Sequence, residues 1–117
     1  MDLNNTMNTT TIKEIKPKIF DNTYRIVCKK GIRFLDLPVF EETEIPKVGQ
    51  KFKYKIYLNN EPGKEELNES TMLMNGTVYK IIADQIQVSF GGYISIIDKN
   101  TGDTPKINDK LSLLLSF

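Results

Sequence analysis

The segment from Asn75 to Asp98 constrains the fold most, because it places three strand-like runs and two turns in a row. Its middle run, Gln85–Phe90, alternates polar and apolar residues strictly, and a period of two is typical of a strand with one buried face. Ala83-Asp84 separates this run from the one before it. Gly91-Gly92 can adopt the positive φ of a tight turn and separates it from the one after it. The segment therefore predicts an antiparallel meander.

Similar runs recur along the rest of the chain. They are Thr10–Lys18, Tyr24–Cys28, Ile32–Phe40, Gln50–Leu58 and Leu111–Phe117. We expect Pro17 to close the first of them, and Ala83 is the only alanine, so local preference favours strands over helices. An open sheet of about eight strands would leave two free edges and an uncovered apolar face. The sequence thus predicts an all-β fold, an eight-stranded antiparallel OB-fold-like barrel.

Length, charge and cysteine content limit the domain organisation and the cellular setting. At 117 residues the chain predicts one domain, residues 10–117, after a flexible tail of residues 1–9 that is rich in Asn and Thr. A net charge of +1 predicts no bulk attraction to nucleic acid or to an acidic membrane. A single cysteine excludes an internal disulfide, and no apolar run approaches the roughly 20 residues of a membrane span. We expect a soluble intracellular protein that does not contact membranes.

The residue types that usually carry catalysis are scarce. Histidine is absent, which removes the commonest general base and the commonest zinc ligand. Cys28 continues the alternation of Tyr24 and Ile26, so we expect a buried packing residue and not a reactive thiol. The sequence predicts no catalytic residue, no cofactor and no metal site.

One basic row has two interpretations. Lys51, Lys53 and Lys55 alternate with the apolar residues of the run Gln50–Leu58. They resemble the positive groove by which OB-type barrels bind single strands, and Tyr57, Tyr79 and Tyr93 could supply the stacking platforms. They also fit the solvent-exposed face of any antiparallel strand, and this second interpretation is the more common case.

Five segments, taken in order and spacing, resemble one known family. They are FDNTYRIVC (20–28), VGQKFKYKI (48–56), MNGTVYKI (74–81), VSFGGYISI (88–96) and INDKLSLLLSF (107–117). Gly76–Tyr79 is similar to the family's G-x-V-Y motif, and Val88–Gly92 to its aromatic-Gly-Gly turn. The family is the eighth common subunit, the small subunit shared by eukaryotic RNA polymerases I, II and III. The resemblance runs from about Ile12 to Phe117, and the chain departs from it in a shorter connection at Asn59–Ser70 and a tighter step between Ala83 and Gln85.

The resemblance implies a non-catalytic assembly subunit that docks on the largest polymerase subunit. It implies a nuclear protein, or a cytoplasmic or virion protein if the chain comes from a large DNA virus. We expect no sequence-specific nucleic-acid binding and no obligate homo-oligomer. The predicted partner contacts are Tyr79, Phe90, Gly91, Gly92 and Tyr93, because glycines admit a close partner backbone and aromatics offer large contact area. The alternative for these five residues is turn geometry and core filling, and the alternative function is a stand-alone single-strand binder that uses Lys51, Lys53 and Lys55.

Overall fold

The structure, a computed structural model, describes residues 7–20, 22–38, 45–60, 62–63, 71–99 and 105–117. These residues form eight strands: β1 (Asn8–Phe20), β2 (Thr23–Cys28), β3 (Ile32–Pro38), β4 (Lys51–Leu58), β5 (Thr71–Ile82), β6 (Gln85–Phe90), β7 (Tyr93–Asp98) and β8 (Lys110–Ser116). Within the same ranges, no helix has the length and apolar character needed to cross a bilayer. The predicted all-β class is confirmed.

All neighbouring strands are antiparallel, and together they form one closed sheet. The order around the ring is β1-β2-β3-β7-β6-β5-β8-β4, and β4 pairs back with β1. The predicted meander is the β5-β6-β7 portion, with turns at Ala83-Asp84 and Gly91-Gly92. The C-terminal strand β8 lies between β4 and β5. The ring confirms the predicted eight-stranded antiparallel barrel and is consistent with an OB-fold-like architecture.

The inside of the ring is filled by the alternate side chains of every strand. The strand β6 buries Ile86, Val88 and Phe90, as its polar and apolar alternation predicts. The largest side chains with almost no exposure are Phe52, Ile12, Ile26, Ile32, Leu35, Leu37, Ile97, Leu111, Leu113 and Leu115. Burial of these apolar groups is the main free-energy gain that holds the ring closed.

Strand β1 is longer than expected at both ends. It begins at Asn8, within the segment predicted to be a tail, and residues 1–6 lie outside the described part of the chain. It also runs past Pro17, so the expected end of the first strand at that proline is wrong. The pairing with β2 loses its register between Lys16 and Phe20, and such an irregular stretch tolerates a residue without an N–H.

Three strands each contain a one-residue β-bulge, a point where two steps along the strand match one step along its partner. The extra residues are Lys13 in β1, Arg33 in β3 and Tyr79 in β5. A bulge bends the strand and re-aims the side chain of the extra residue. All three side chains are exposed, and they reappear below in the two candidate interaction surfaces.

The two faces of β4 differ from the expected pattern at one position. Lys51 and Lys53 are exposed, but Lys55 is only 7% exposed. Lys55 lies opposite buried Leu114 of β8, and its Nζ is 4.9 Å from the centroid of the Tyr57 ring. A lysine stem can cover apolar surface while its ammonium group interacts with an aromatic face. The expectation that Lys55 lies on a solvent-exposed face is therefore wrong.

The β2–β3 turn depends on a glycine. Gly31 has φ +79°, in the left-handed region, and a Cβ at this position would overlap the hydroxyl group of Tyr54. Gly49 has φ +91°, but a Cβ there would meet no atom within 4 Å. The two glycines therefore share the backbone requirement, and only Gly31 adds a steric one.

We expect Gly31→Ala to destabilise the protein more than Gly49→Ala. The control variant, Gly49→Ala, should lose about 1–2 kcal/mol of unfolding free energy, the usual cost of a left-handed conformation for a residue with a Cβ. Gly31→Ala loses about 1–3 kcal/mol more, because Tyr54 must move out of a packed core. Urea unfolding followed by circular dichroism measures both free energies, and equal losses would show that the Gly31–Tyr54 contact is unimportant.

Candidate interaction surfaces

The predicted partner contacts include three exposed residues on the outside of the meander. Tyr79 is the bulged residue of β5 and is 42% exposed, and its Oη donates a hydrogen bond to Gln87 Oε1 at 3.1 Å. Gly91 and Gly92 form the exposed β6–β7 turn, both with positive φ. A Cβ on either glycine would meet no atom within 4 Å, so the turn has open space around it.

The other two predicted contacts face the core. Phe90 is 5% exposed, and a Cβ at Gly76 would lie only 2.6 Å from its Cδ1 atom, so the phenyl ring rests on the glycine. Tyr93 pairs with Phe90 across the β6–β7 ladder and packs partly buried against the core. The Phe90 ring thus fills the core, as the alternative interpretation expected, and offers no exposed surface. A role of the remaining residues in partner binding stays a prediction.

Two isoleucines extend the exposed part of this surface. Ile94 pairs with Ser89, and Ile96 pairs with Gln87, the acceptor for Tyr79. Both are half-buried and lie outside the core cluster, so they point to the outer face of β7. We call Tyr79, Gln87, Gly91, Gly92, Ile94 and Ile96 the meander face.

The predicted nucleic-acid row does not form a continuous positive groove. Lys51 and Lys53 remain exposed, but the third member, Lys55, is buried with its ammonium group over Tyr57. Of the three expected stacking platforms, Tyr93 faces the core, and Tyr57 is half-buried with the Lys55 ammonium group over its ring. Tyr79 is exposed but lies on another strand. The row is thus reduced to two exposed cations.

A denser group of cations lies elsewhere, around a groove of about 550 Å³ on the outer side of β1, β2 and β3. The floor is formed by Val27 and Phe34. The basic residues that line it are Lys13, Lys16, Arg25, Lys29, Lys30 and Arg33, and Asp98 is the one acidic residue among the described part of the lining. We call this surface the basic groove. The sequence did not reveal it, because its cations are spread over three strands and the β2–β3 turn, and Lys29-Lys30 is the only adjacent pair among them.

Strand pairing explains how the groove is assembled. Lys16 lies opposite Arg25 in the β1–β2 ladder, and Val27 lies opposite Phe34 in the β2–β3 ladder, so each pair shares the outer face. The bulges at Lys13 and Arg33 bring two more cations to the rim.

The turn that carries Lys29 and Lys30 is held on both sides. The hydroxyl of Thr10 donates to the Lys30 carbonyl oxygen at 2.7 Å, and the Lys29 N–H donates to the Thr11 carbonyl oxygen at 3.0 Å. The Asp98 N–H donates to the Gly31 carbonyl oxygen at 2.7 Å. These bonds use backbone atoms of the turn, so the lysine side chains play no part in holding it.

Both arginines of the groove are engaged with carboxylates. Arg25 binds Asp36 through two hydrogen bonds, Nε to Oδ1 at 2.6 Å and Nη2 to Oδ2 at 3.1 Å, and its guanidinium lies 4.0 Å from the centroid of the Phe34 ring. The hydrogen bond to the fully buried Asp36 raises the pKa of Arg25 above its usual value. Arg33 pairs with Asp98 at 2.9 Å in a much more exposed position.

Burial keeps two interior groups, the Cys28 thiol and the Tyr24 hydroxyl, in their neutral form. Burial raises the pKa of the Cys28 thiol from 9.0 to about 12 and that of the Tyr24 hydroxyl from 10.0 to about 12. Cys28 is 6% exposed, which agrees with the packing role expected from the sequence. In the described ranges, no three His, Cys, Asp or Glu side chains come together in a way that could hold a metal ion.

Comparison with protein-family models gives no match for this chain, and comparison with curated proteins gives none.

We expect Arg25→Met to destabilise the protein by about 3–5 kcal/mol, because it leaves the buried Asp36 carboxylate without a partner. Arg33→Met is the matched control and should cost less than about 1 kcal/mol, since its pair with Asp98 is exposed. The double variant Arg25→Met/Asp36→Leu should recover much of the loss. Urea unfolding measures the stability of all three variants. Similar losses for Arg25→Met and Arg33→Met would contradict the conclusion that the buried Asp36 carboxylate depends on Arg25.

The stability should fall at alkaline pH. Because folding raises the pKa of Cys28, its contribution to the free energy of unfolding is fully present below about pH 9 and is lost at higher pH, where the unfolded chain releases a proton that the folded chain retains. The Cys28 contribution is roughly 1.4 kcal/mol per pH unit between about pH 9 and pH 12. Urea unfolding between pH 8 and pH 10.5 should show a shallower decrease for Cys28→Ala than for the parent chain. Identical slopes would argue against a buried neutral thiol.

Proposed function

We propose that this chain is a non-catalytic assembly subunit of a multisubunit DNA-directed RNA polymerase and docks on the largest subunit. The observation that carries the proposal is the closed eight-stranded antiparallel barrel, since that is the fold which the ordered resemblance to the eighth common subunit implies. The motifs of the resemblance also have structural roles. Gly76 receives the Phe90 ring, and Gly91 and Gly92 make the β6–β7 turn.

The meander face is the docking surface in this proposal. Its turn has no side chains, so a partner backbone can approach Gly91 and Gly92 closely. Tyr79, Ile94 and Ile96 supply aromatic and aliphatic area next to it, and such residues contribute most where they are desolvated at the centre of an interface. The chain then acts in the nucleus, or in the cytoplasm or virion of a large DNA virus, and contributes no active site of its own.

The stand-alone single-strand binder built on Lys51, Lys53 and Lys55 has less support. Burial of Lys55 breaks the positive row on which that function depends. The two functions also differ in what accompanies the chain in cells, because a stand-alone binder requires no large protein partner.

Affinity purification of a tagged chain from its native cells tests the proposal. We expect the two largest polymerase subunits to co-purify in equal amounts with the tagged chain. Gly92→Arg should reduce that recovery at least tenfold, a change of about 1.4 kcal/mol in binding, because the arginine occupies the space above the turn. Lys53→Glu, at an exposed position of β4, should not reduce it.

Two results would contradict the proposal in different ways. Recovery of the folded parent chain without large polymerase subunits would overturn the function. Full recovery with a normally folded Gly92→Arg variant would overturn the meander face while leaving the function in place.

A further inference from the structure

We propose that the basic groove binds single-stranded nucleic acid through its phosphate backbone, without reading the bases. This activity goes beyond an assembly role, and it concerns a different surface from the meander face.

The first argument is the concentration of positive charge. Six of the 16 basic residues line this one groove, although the whole chain has a net charge of only +1. The described residues provide no ion pair for the ammonium groups of Lys13, Lys16, Lys29 and Lys30. Gathering four like charges around a concave surface raises the local positive potential, and a polyanion relieves the repulsion.

The second argument concerns which anion fits. The forked guanidinium groups that match carboxylates best are already paired with Asp36 and Asp98. The charges left over are ammonium groups, which bind phosphate oxygens as point charges without a required orientation. Lysine is also depleted in the cores of protein–protein interfaces, where arginine and aromatic residues are enriched. The free charges of the groove therefore favour a phosphate chain over an acidic protein segment.

The third argument concerns the bases. Among the residues that the structure describes, Phe34 is the only aromatic one that lines the groove, and the Arg25 guanidinium covers one face of its ring. Single-strand binders that grip the bases use exposed aromatic platforms. With its one ring partly covered, the groove is suited to the sugar-phosphate backbone, so we expect little dependence on base sequence.

The shape of the groove favours a flexible ligand. The concavity of about 550 Å³ lies on a barrel whose longest dimension is 36 Å. The hydrogen bonds of the β2–β3 turn hold its rim in place before any ligand arrives. A single strand can curve into such a concavity, whereas a short duplex is stiff and presents its phosphates on a convex cylinder.

Fluorescence anisotropy of the full chain with a labelled 20-nucleotide oligo(dT) tests the proposal. Lys29→Glu/Lys30→Glu removes two groove cations, and Lys51→Glu/Lys53→Glu makes the same charge change at two exposed positions of β4. Both variants should fold, because these lysine side chains are exposed. We expect the groove variant to bind at least tenfold more weakly and the β4 variant to stay within about threefold of the parent chain.

The salt dependence supplies an independent readout. Each phosphate neutralised on a single strand contributes a slope of about −0.7 to log K against log [salt], so four lysines predict a slope near −3. The groove variant should lose about 1.4 of that slope. A single-stranded RNA of mixed sequence should bind within about threefold of oligo(dT).

Several outcomes would overturn the inference. These are no binding of the parent chain at low salt, an equal loss in the two double variants, equal affinity for a duplex of the same length, and equally effective competition by poly-glutamate. The last result would identify an acidic protein segment as the ligand. Since these measurements use the isolated chain, their failure is separate from any failure of the polymerase proposal.

Discussion

The barrel depends on one strand that pairs with two different neighbours. β1 pairs with β4 through Asn8–Thr11 and with β2 from Ile12 onward, so the first strand closes the ring that the other seven begin. The bulge at Lys13 lies immediately after the change of partner, where the strand must bend. Ile12 is fully buried there, and its N–H and carbonyl oxygen bond to Gln50 and Gly49. Without this junction, β2 and β4 would each present a free edge, and the apolar interior would be open.

Departures from regular pairing decide what the outside of the barrel displays. Regular alternation sends every second side chain into the core, and this leaves the outer face to whichever residues remain. The bulges at Lys13 and Arg33 add cations to the basic groove, and the bulge at Tyr79 places an aromatic residue on the meander face. The two surfaces meet at the β3–β7 ladder, where Phe34 of the groove lies opposite Ile96. Under the two proposals, a polymerase subunit docked on the meander face would therefore lie beside a nucleic-acid strand bound in the basic groove.

Local pattern was sufficient for the number and order of the strands, but it misplaced the ends of β1 and the orientation of particular side chains. The meander and its turns follow from alternation and from Gly91-Gly92, because both depend on neighbours in sequence. Lys55 alternates like Lys51 and Lys53, yet it is buried opposite Leu114, a residue far away in the chain. Phe90 was a candidate contact because it adjoins an exposed turn, but its own position in the alternation of β6 directs it inward. For Phe90 the alternation predicted the orientation better than the neighbouring turn did, because side chains keep alternating between the two faces up to the last residue of a strand.

By itself, the sequence determined the all-β class, the succession of eight strands and the packing role of Cys28, because each follows from the polarity and backbone preference of residues close together in the chain. Only the tertiary structure decided which strands became neighbours, where the bulges fell and which cations came together. A bulge is a mismatch between two strands, so neither strand alone can reveal it. The charges of the groove likewise come from residues 13 to 33, on three strands and the β2–β3 turn, and from Asp98 on a fourth strand, and strand pairing brings them to one place.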